Sequence, residues 1–223
     1  TTAVERFTNI RRHRARDHAD PVAGLVRGAY KGEGLGNQFL SHIRDVNVIV
    51  EVLRCFPSEE IIHVEQSVDP VRDLEIINAE LALKDLETLE HRLKKLESEA
   101  KTGAKEAAKN LVFAKKMKEK LERGELLAEF RNEPLVNELQ LLTAKRQLYL
   151  LNGKKEDVPE ELVKKIASLG TNVIIADLST ATELPELAKA AYSALNLLSF
   201  FTTGEDETRA WTIERGAKAA AEL

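Results

Sequence analysis

The chain has 223 residues, with 33 Lys and Arg against 37 Asp and Glu and a net charge of −4. That length buries a substantial core in one or two domains. The near balance of charge excludes a global field that draws nucleic acid or an anionic membrane, so any RNA contact is local and no sequence-specific DNA reader is indicated. A single cysteine, Cys55, excludes an internal disulfide framework and a cysteine-rich metal site. No apolar run reaches bilayer-spanning length and the start lacks the apolar core of a signal peptide, so the chain reads as cytoplasmic.

Residues 1–20 form a basic segment (Arg11, Arg12, His13, Arg14, Arg16, His18) with little apolar periodicity. It reads either as a solvated end or as an RNA-contacting arm. Five glycines follow on a short span, Gly24, Gly28, Gly32, Gly34 and Gly36, where backbone must turn sharply or approach a ligand. Then come a helix-like run through Phe39, Leu40, Ile43 and Arg44 and a nearly continuous apolar strand from Val46 to Leu53, of the kind buried in a parallel sheet. A glycine-rich loop feeding a helix and a buried strand is the layout of a nucleotide-sensing switch.

From about Leu74 to Leu127 the pattern is helical, with Leu81, Leu86, Leu89, Leu93 and Leu96 at three- and four-residue spacing. Asp85, Glu87, Glu90, Lys94 and Lys95 are expected to form charge pairs on an exposed face. Gly103 marks a break, and a second amphipathic helix runs through Leu111, Phe113, Met117 and Leu121, which predicts an antiparallel helical hairpin. Beyond it, Leu148–Leu151 reads as a strand, Glu160–Leu169 as a helix and Val173–Ala176 as another strand, an alternation that argues for an α/β parallel sheet. A helix is expected from Glu186 to about Leu197, then an extended segment from Phe200 to Thr203, and a hairpin through Arg209–Ile213 with Gly216.

Several ordered blocks resemble one family. They are A-G-L-V-R-G-A-Y-K-G-E-G-L-G-N-Q-F-L from Ala23, R-C-F at Arg54–Phe56, I-I-H-V at Ile61–Val64, V-D-P at Val68–Pro70, E-I-I-N-A-E-L-A-L at Glu75–Leu83, and A-Y-S-A-L-N-L-L-S-F-F-T-T-G-E-D-E-T-R-A-W-T from Ala191. From Pro21 onward the chain is similar to the YchF/Obg-like ATPases, P-loop nucleoside triphosphatases of the Obg-related group. The resemblance implies a P-loop NTPase-like α/β sheet without its N-terminal P-loop part, in residues 21–73 and 140–198. It also implies a coiled-coil hairpin insertion over 74–139 and the beginning of a TGS domain over 199–223. The family hydrolyses ATP or GTP with Mg²⁺ and associates with the ribosome.

Carried onto this sequence, switch II comprises Gly24, Gly28, Gly32, Gly34, Gly36 and Asn37. Leu25 stands where many GTPases have a water-positioning Gln, and the family is hydrophobic there too. The catalytic role passes by resemblance to His63, whose imidazole titrates near neutrality; a lone histidine among apolar residues also reads as an ordinary loop or packing residue. Base recognition by N-x-x-E corresponds to Asn152, Gly153 and Glu156, with the acid one residue late and Lys155 in its slot. Asn-Gly is equally an ordinary turn. The family's S-A motif corresponds to Asp177-Leu178 and is absent.

No G-x-x-x-x-G-K-[ST] motif occurs in the 223 residues, and without that cradle a triphosphate loses its main electrostatic hold. The Mg²⁺-directed Asp expected three residues before Gly24 is Pro21, and Asp20, one residue early, reaches the metal only through a bulge. Metal ligands are therefore none, or Asp20. The onset of similarity after an Arg/His-rich segment fits a truncated or frame-shifted gene start. Three readings follow: a ribosome-associated NTPase of the family, impaired in this copy; a non-catalytic partner- or ribosome-binding module built on the hairpin and TGS stub; or a purely structural helical protein.

Overall fold

The structure, a computed structural model, describes residues 40, 43–57, 67–171, 173–181, 184–204 and 207–217. The five switch glycines, Leu25, Asn37, Asp20 and His63 lie outside them. The chain divides into two compact units, whose described parts are residues 40, 43–45 and 67–145 in one and 46–57, 146–171, 173–181, 184–204 and 207–217 in the other.

The first unit is helical. Helix α1 spans Pro70–Lys101. Its start is specified locally: the Asp69 carboxylate accepts the Val71 and Arg72 N–H groups at 3.2 and 3.1 Å, and Pro70, which has no N–H to lose, occupies the first turn. Gly103 reverses the chain after α1 at φ +88°, a conformation that penalises any side chain. Helix α2 follows over Lys105–Glu122, and a short helix α3 spans Pro134–Leu139.

The predicted leucine stripe is core. Leu89, Leu93 and Leu96 of α1 pack in one cluster with Ala107, Ala114, Met117 and Leu121 of α2 and with Leu135 and Val136 of α3. Phe113 and Phe130 meet edge to face at a centroid distance of 5.2 Å on the margin of the same cluster. Around this core the charges pair between turns and helices rather than along α1 alone: Lys84 with Glu87, Lys118 of α2 with Glu90, and Lys120 with both Glu125 and Glu129.

Asp85 does not join the expected exposed charge pairs. It is 1% exposed. Its carboxylate accepts the Leu142 and Thr143 N–H groups, each at 2.8 Å, and the Thr143 hydroxyl at 2.6 Å. It thus satisfies the free donors at the start of the 3₁₀ turn Leu142–Ala144. Burial pushes its carboxyl up to about 6, against the opposing pull of those hydrogen bonds and of the Arg44 guanidinium. A helical-wheel reading misses this role because the partner lies some sixty residues downstream.

The second unit holds a three-stranded parallel sheet in the order β1-β2-β3. Strand β1 (Val48–Arg54) pairs with β2 (Arg146–Asn152) in the register Val48 to Arg146 through Arg54 to Asn152. Strand β3 (Val173–Ala176) adds to β2 from Tyr149 through Asn152. All seven residues of β1 are buried, as a strand covered on both faces requires. Val48, Val50 and Val52 with Leu148 and Leu150 form one face, in a cluster with Ala191 of helix α5 (Pro185–Ala194). Between β2 and β3 lies helix α4 (Glu160–Ser168), which buries Leu162 and Ile166.

Among the boundaries that differ from the sequence reading, two have a clear structural cause. Strand β2 begins at Arg146, because parallel pairing with β1 recruits polar residues that show no apolar run. Helix α5 ends at Ala194, not Leu197: Asn196 takes φ 55° and Leu197 already opens strand β4. Strands β4 (Leu197–Thr203) and β5 (Thr208–Glu214) form an antiparallel two-stranded sheet, with Trp211 opposite Phe200.

Because Leu89 is wholly buried between helices, Leu89→Ala is expected to cost about 2–5 kcal/mol of stability. Urea unfolding of the two proteins measures the difference, and a loss below about 1 kcal/mol contradicts the assigned packing.

Candidate functional site at the carboxyl edge of the parallel sheet

Parallel strands place their carboxyl ends along one edge, where open α/β sheets bind ligands. Here the ends are tied to one another. The Cys55 N–H donates to the Asn152 carbonyl at 2.8 Å, and the Gly153 N–H donates to the Ala176 carbonyl at 3.1 Å, extending the ladder one step past each strand. The Asn152 side chain, 7% exposed, adds the decisive link: its Oδ1 accepts the Leu178 N–H at 3.0 Å. One asparagine thus fastens the turn after β3 to the end of β2.

Gly153 is required by space and by backbone. Its φ is +155°, and a Cβ there would stand 3.3 Å from the Cys55 Cβ. A side chain would therefore be strained by the backbone and would need the Cys55 Cβ to give by a few tenths of an ångström.

After β3, the Asp177 carboxylate accepts the Ser179 N–H at 3.0 Å and the Ser179 hydroxyl, while its carbonyl accepts the Thr180 and Ala181 N–H groups. Those Ser179 hydrogen bonds, and more weakly the charge of Lys154, hold Asp177 below the ordinary carboxylate range. The edge therefore carries a fixed amide, an ionised carboxylate and a nearby ammonium.

Asn152 and Gly153 are brought to this edge as the sequence predicts. Glu156 is not brought to Asn152: it is exposed on a 3₁₀ turn, Lys155–Asp157, closed when the Asp157 carboxylate accepts the Lys154 N–H at 3.4 Å. The added residue is absorbed in that turn. Among the described residues no group of three or more His, Cys, Asp or Glu side chains is arranged to hold a metal ion.

The chain is 39% identical over 232 residues to the ribosome-binding ATPase YchF of Bacillus subtilis, covering 89% of this chain and 63% of that protein. It is 38% identical to Obg-like ATPase 1 of Saccharomyces cerevisiae, covering 89% and 60% respectively. The solved Schizosaccharomyces pombe YchF GTPase superposes with a TM-score of 0.69 at 34% identity, over 88% of this chain and 61% of that one.

The chain belongs to the YchF/Obg-like ATPase family. It spans roughly three-fifths of the length of the relatives it matches, and no family model matches it. Its mixed α/β architecture with a parallel sheet is that of the solved YchF GTPase. Among the described residues, no helix is long and apolar enough to cross a membrane.

Within this YchF-type sheet, the sequence reading passed over Glu51. It lies in the middle of β1, is 0% exposed, and both its carboxyl oxygens are buried without a hydrogen-bond partner among the described residues. It alternates with Val50 and Val52, so it points away from the Ala191 face and stands beside Tyr149 in register. Burial pushes its carboxyl from an ordinary 4.5 to about 8; burial first, and Glu51 second, push the Tyr149 phenol up as well. The available signal was a lone acid inside an otherwise apolar strand.

The consequence for stability has a definite sign. The unfolded chain releases the Glu51 proton near pH 4.5 and the folded chain near pH 8, so between those values the folded state binds more protons and stability falls as pH rises. Glu51→Gln removes this slope, which is at most about 1.4 kcal/mol per pH unit. It is expected to gain stability relative to the parent as pH moves from 5 to 8, as read by unfolding curves across that range. A gain that does not grow with pH contradicts the assignment.

Proposed function

We propose that the chain carries the base-side half of a YchF-type ATP or GTP site at the carboxyl edge of its sheet, and that these 223 residues by themselves bind Mg·ATP and Mg·GTP weakly or not at all. The supporting observation is the bond from the Leu178 N–H to the Asn152 Oδ1. It holds Asn152 at the carboxyl edge of the sheet, which supports reading it as the asparagine of the N-x-x-E position. Against tight binding stand the lack of a G-x-x-x-x-G-K-[ST] cradle and of an Asp at position 21, where the sequence has Pro21. The phosphates carry most of a nucleotide's charge, so losing their cradle removes more binding energy than an asparagine at the base restores.

On this reading residues 21–73 and 140–198 are the partial G domain, α1 and α2 are the family's hairpin insertion, and β4 and β5 begin its TGS domain. Switch II runs through Gly24–Asn37 and His63 would serve hydrolysis in a chain with an intact phosphate site. Mg²⁺ would accompany the nucleotide. Calorimetric titration with Mg·ATP and with Mg·GTP tests the proposal: heats consistent with a dissociation constant of about 1 mM or weaker are expected, and micromolar affinity (about −8 kcal/mol) for either overturns it.

A second reading is favoured by one observation: the helical unit has its own core, with Leu89, Met117 and Leu135 closing one cluster. A unit so built can hold a partner without nucleotide turnover, and the Bacillus subtilis relative is named as ribosome-binding. Co-sedimentation of this chain with ribosomes, unchanged by Mg·ATP, is the expected outcome on this reading. Sedimentation only in the presence of nucleotide contradicts it.

A further inference from the structure

Between α1, α3 and Arg44 lies a cleft of about 450 Å³. Lys84, Thr88, His91 and Lys95 line it from α1, at spacings of four, three and four residues, which put them on one face of the helix over about 16 Å. Glu87 and Glu138 also line the cleft, but each is engaged: Glu87 with Lys84 at 2.6 Å, and Glu138 with Arg92 at 3.5 Å, which also holds Glu99. Arg44, His91 and Lys95 form no ion pair with a carboxylate among the described residues. Arg44 is nevertheless held in place, donating through Nη2 to the Thr88 hydroxyl at 2.8 Å.

The lining holds no Phe, Tyr or Trp ring, only the His91 imidazole, and only Leu139 as an apolar side chain. A ligand recognised here offers negative charge, not a hydrophobic or planar surface. Its charges must be spread along the cleft, because the cationic side chains, Lys84, Arg92 and Lys95 along α1 together with Arg44 beside Thr88, do not converge on one point. A row of phosphate groups has that shape and charge.

We propose that this cleft of the helical unit is an anion site that takes a run of linked phosphate groups, whether in a free polyphosphate or in a nucleic-acid backbone. Its recognition is independent of base identity, and its affinity falls steeply with salt.

The test uses the full chain and inorganic tripolyphosphate as the probe, titrated calorimetrically at about 50 mM and about 200 mM salt. Binding is expected at the lower salt and is weakened at the higher. The double variant His91→Gln/Lys95→Gln, altered only at exposed positions, is expected to weaken binding about fivefold to tenfold, with an unchanged unfolding transition. Lys94→Gln, on α1 but outside the cleft, and Asn152→Ala, at the sheet edge, are each expected to leave it within about twofold.

A short single-stranded RNA distinguishes the sources. Displacement of bound RNA by tripolyphosphate extends the site to nucleic-acid backbones, and failure of RNA to bind while tripolyphosphate does restricts it to free polyphosphate. The proposal is overturned if tripolyphosphate does not bind, if the double variant binds like the parent, if Lys94→Gln weakens binding equally, or if RNA binds and tripolyphosphate cannot displace it.

Discussion

The parallel register of β1 against β2 is the constraint from which the sheet unit follows. Seven consecutive pairs, from Val48 with Arg146 to Arg54 with Asn152, fix where both strands end. Once β3 joins at Tyr149 and closes at Asn152, the three carboxyl ends must emerge together. A slip of one residue would turn Val48, Val50 and Val52 away from the Ala191 cluster and bring Glu51 into it. The valine face therefore sets the register, and the register places Cys55, Asn152 and Asp177 along one edge. The same register obliges Glu51 to lie under the opposite face, where it stays neutral near pH 7 because nothing nearby compensates its charge.

In the helical unit the balance of forces is different. Apolar burial dominates: Leu89 and Leu96 are fully covered, each contributing about 1.5–3 kcal/mol relative to exposure. The ion pairs around them lie mostly at solvent-exposed positions, where water screens the attraction. They define the solvent face more than they hold the helices. Asp85 is the exception. Its carboxylate gives up water and receives three donors in return, so the polar ends of the 3₁₀ turn at Leu142 can be buried without orphaned N–H groups.

Much of this architecture was legible in local pattern. The leucine spacing located α1 and α2, Gly103 located their turn, and the valine and leucine runs located β1, β2 and β3. Asn152 was found through its place at the end of a strand in a family motif. What escaped depended on distant partners. Asp85 looks like any surface acid until Leu142 and Thr143 stand beside it, and Arg146 enters a strand because Val48 is opposite. Glu51 was hidden by its company, since an apolar strand invites the reader to average over one charged residue. The cleft gave no signal either: Arg44 is far in sequence from Lys95, and only packing reveals which neighbouring cations are already paired.

Asn152 has a structural duty that is independent of any nucleotide. Its Oδ1 holds the Leu178 N–H and its carbonyl holds the Cys55 N–H, so it ties the ends of all three strands together with no ligand bound. Replacing it would free a backbone donor and loosen the turn that Asp177 closes, a cost of about 1 kcal/mol that stability alone would oppose. Gly153 is bound to the same duty by the 3.3 Å approach to Cys55. Glu156, exposed on the 3₁₀ turn, has no comparable part in the fold among the described residues. The order of the sheet edge thus rests on Asn152 and Gly153, whose structural work needs no ligand.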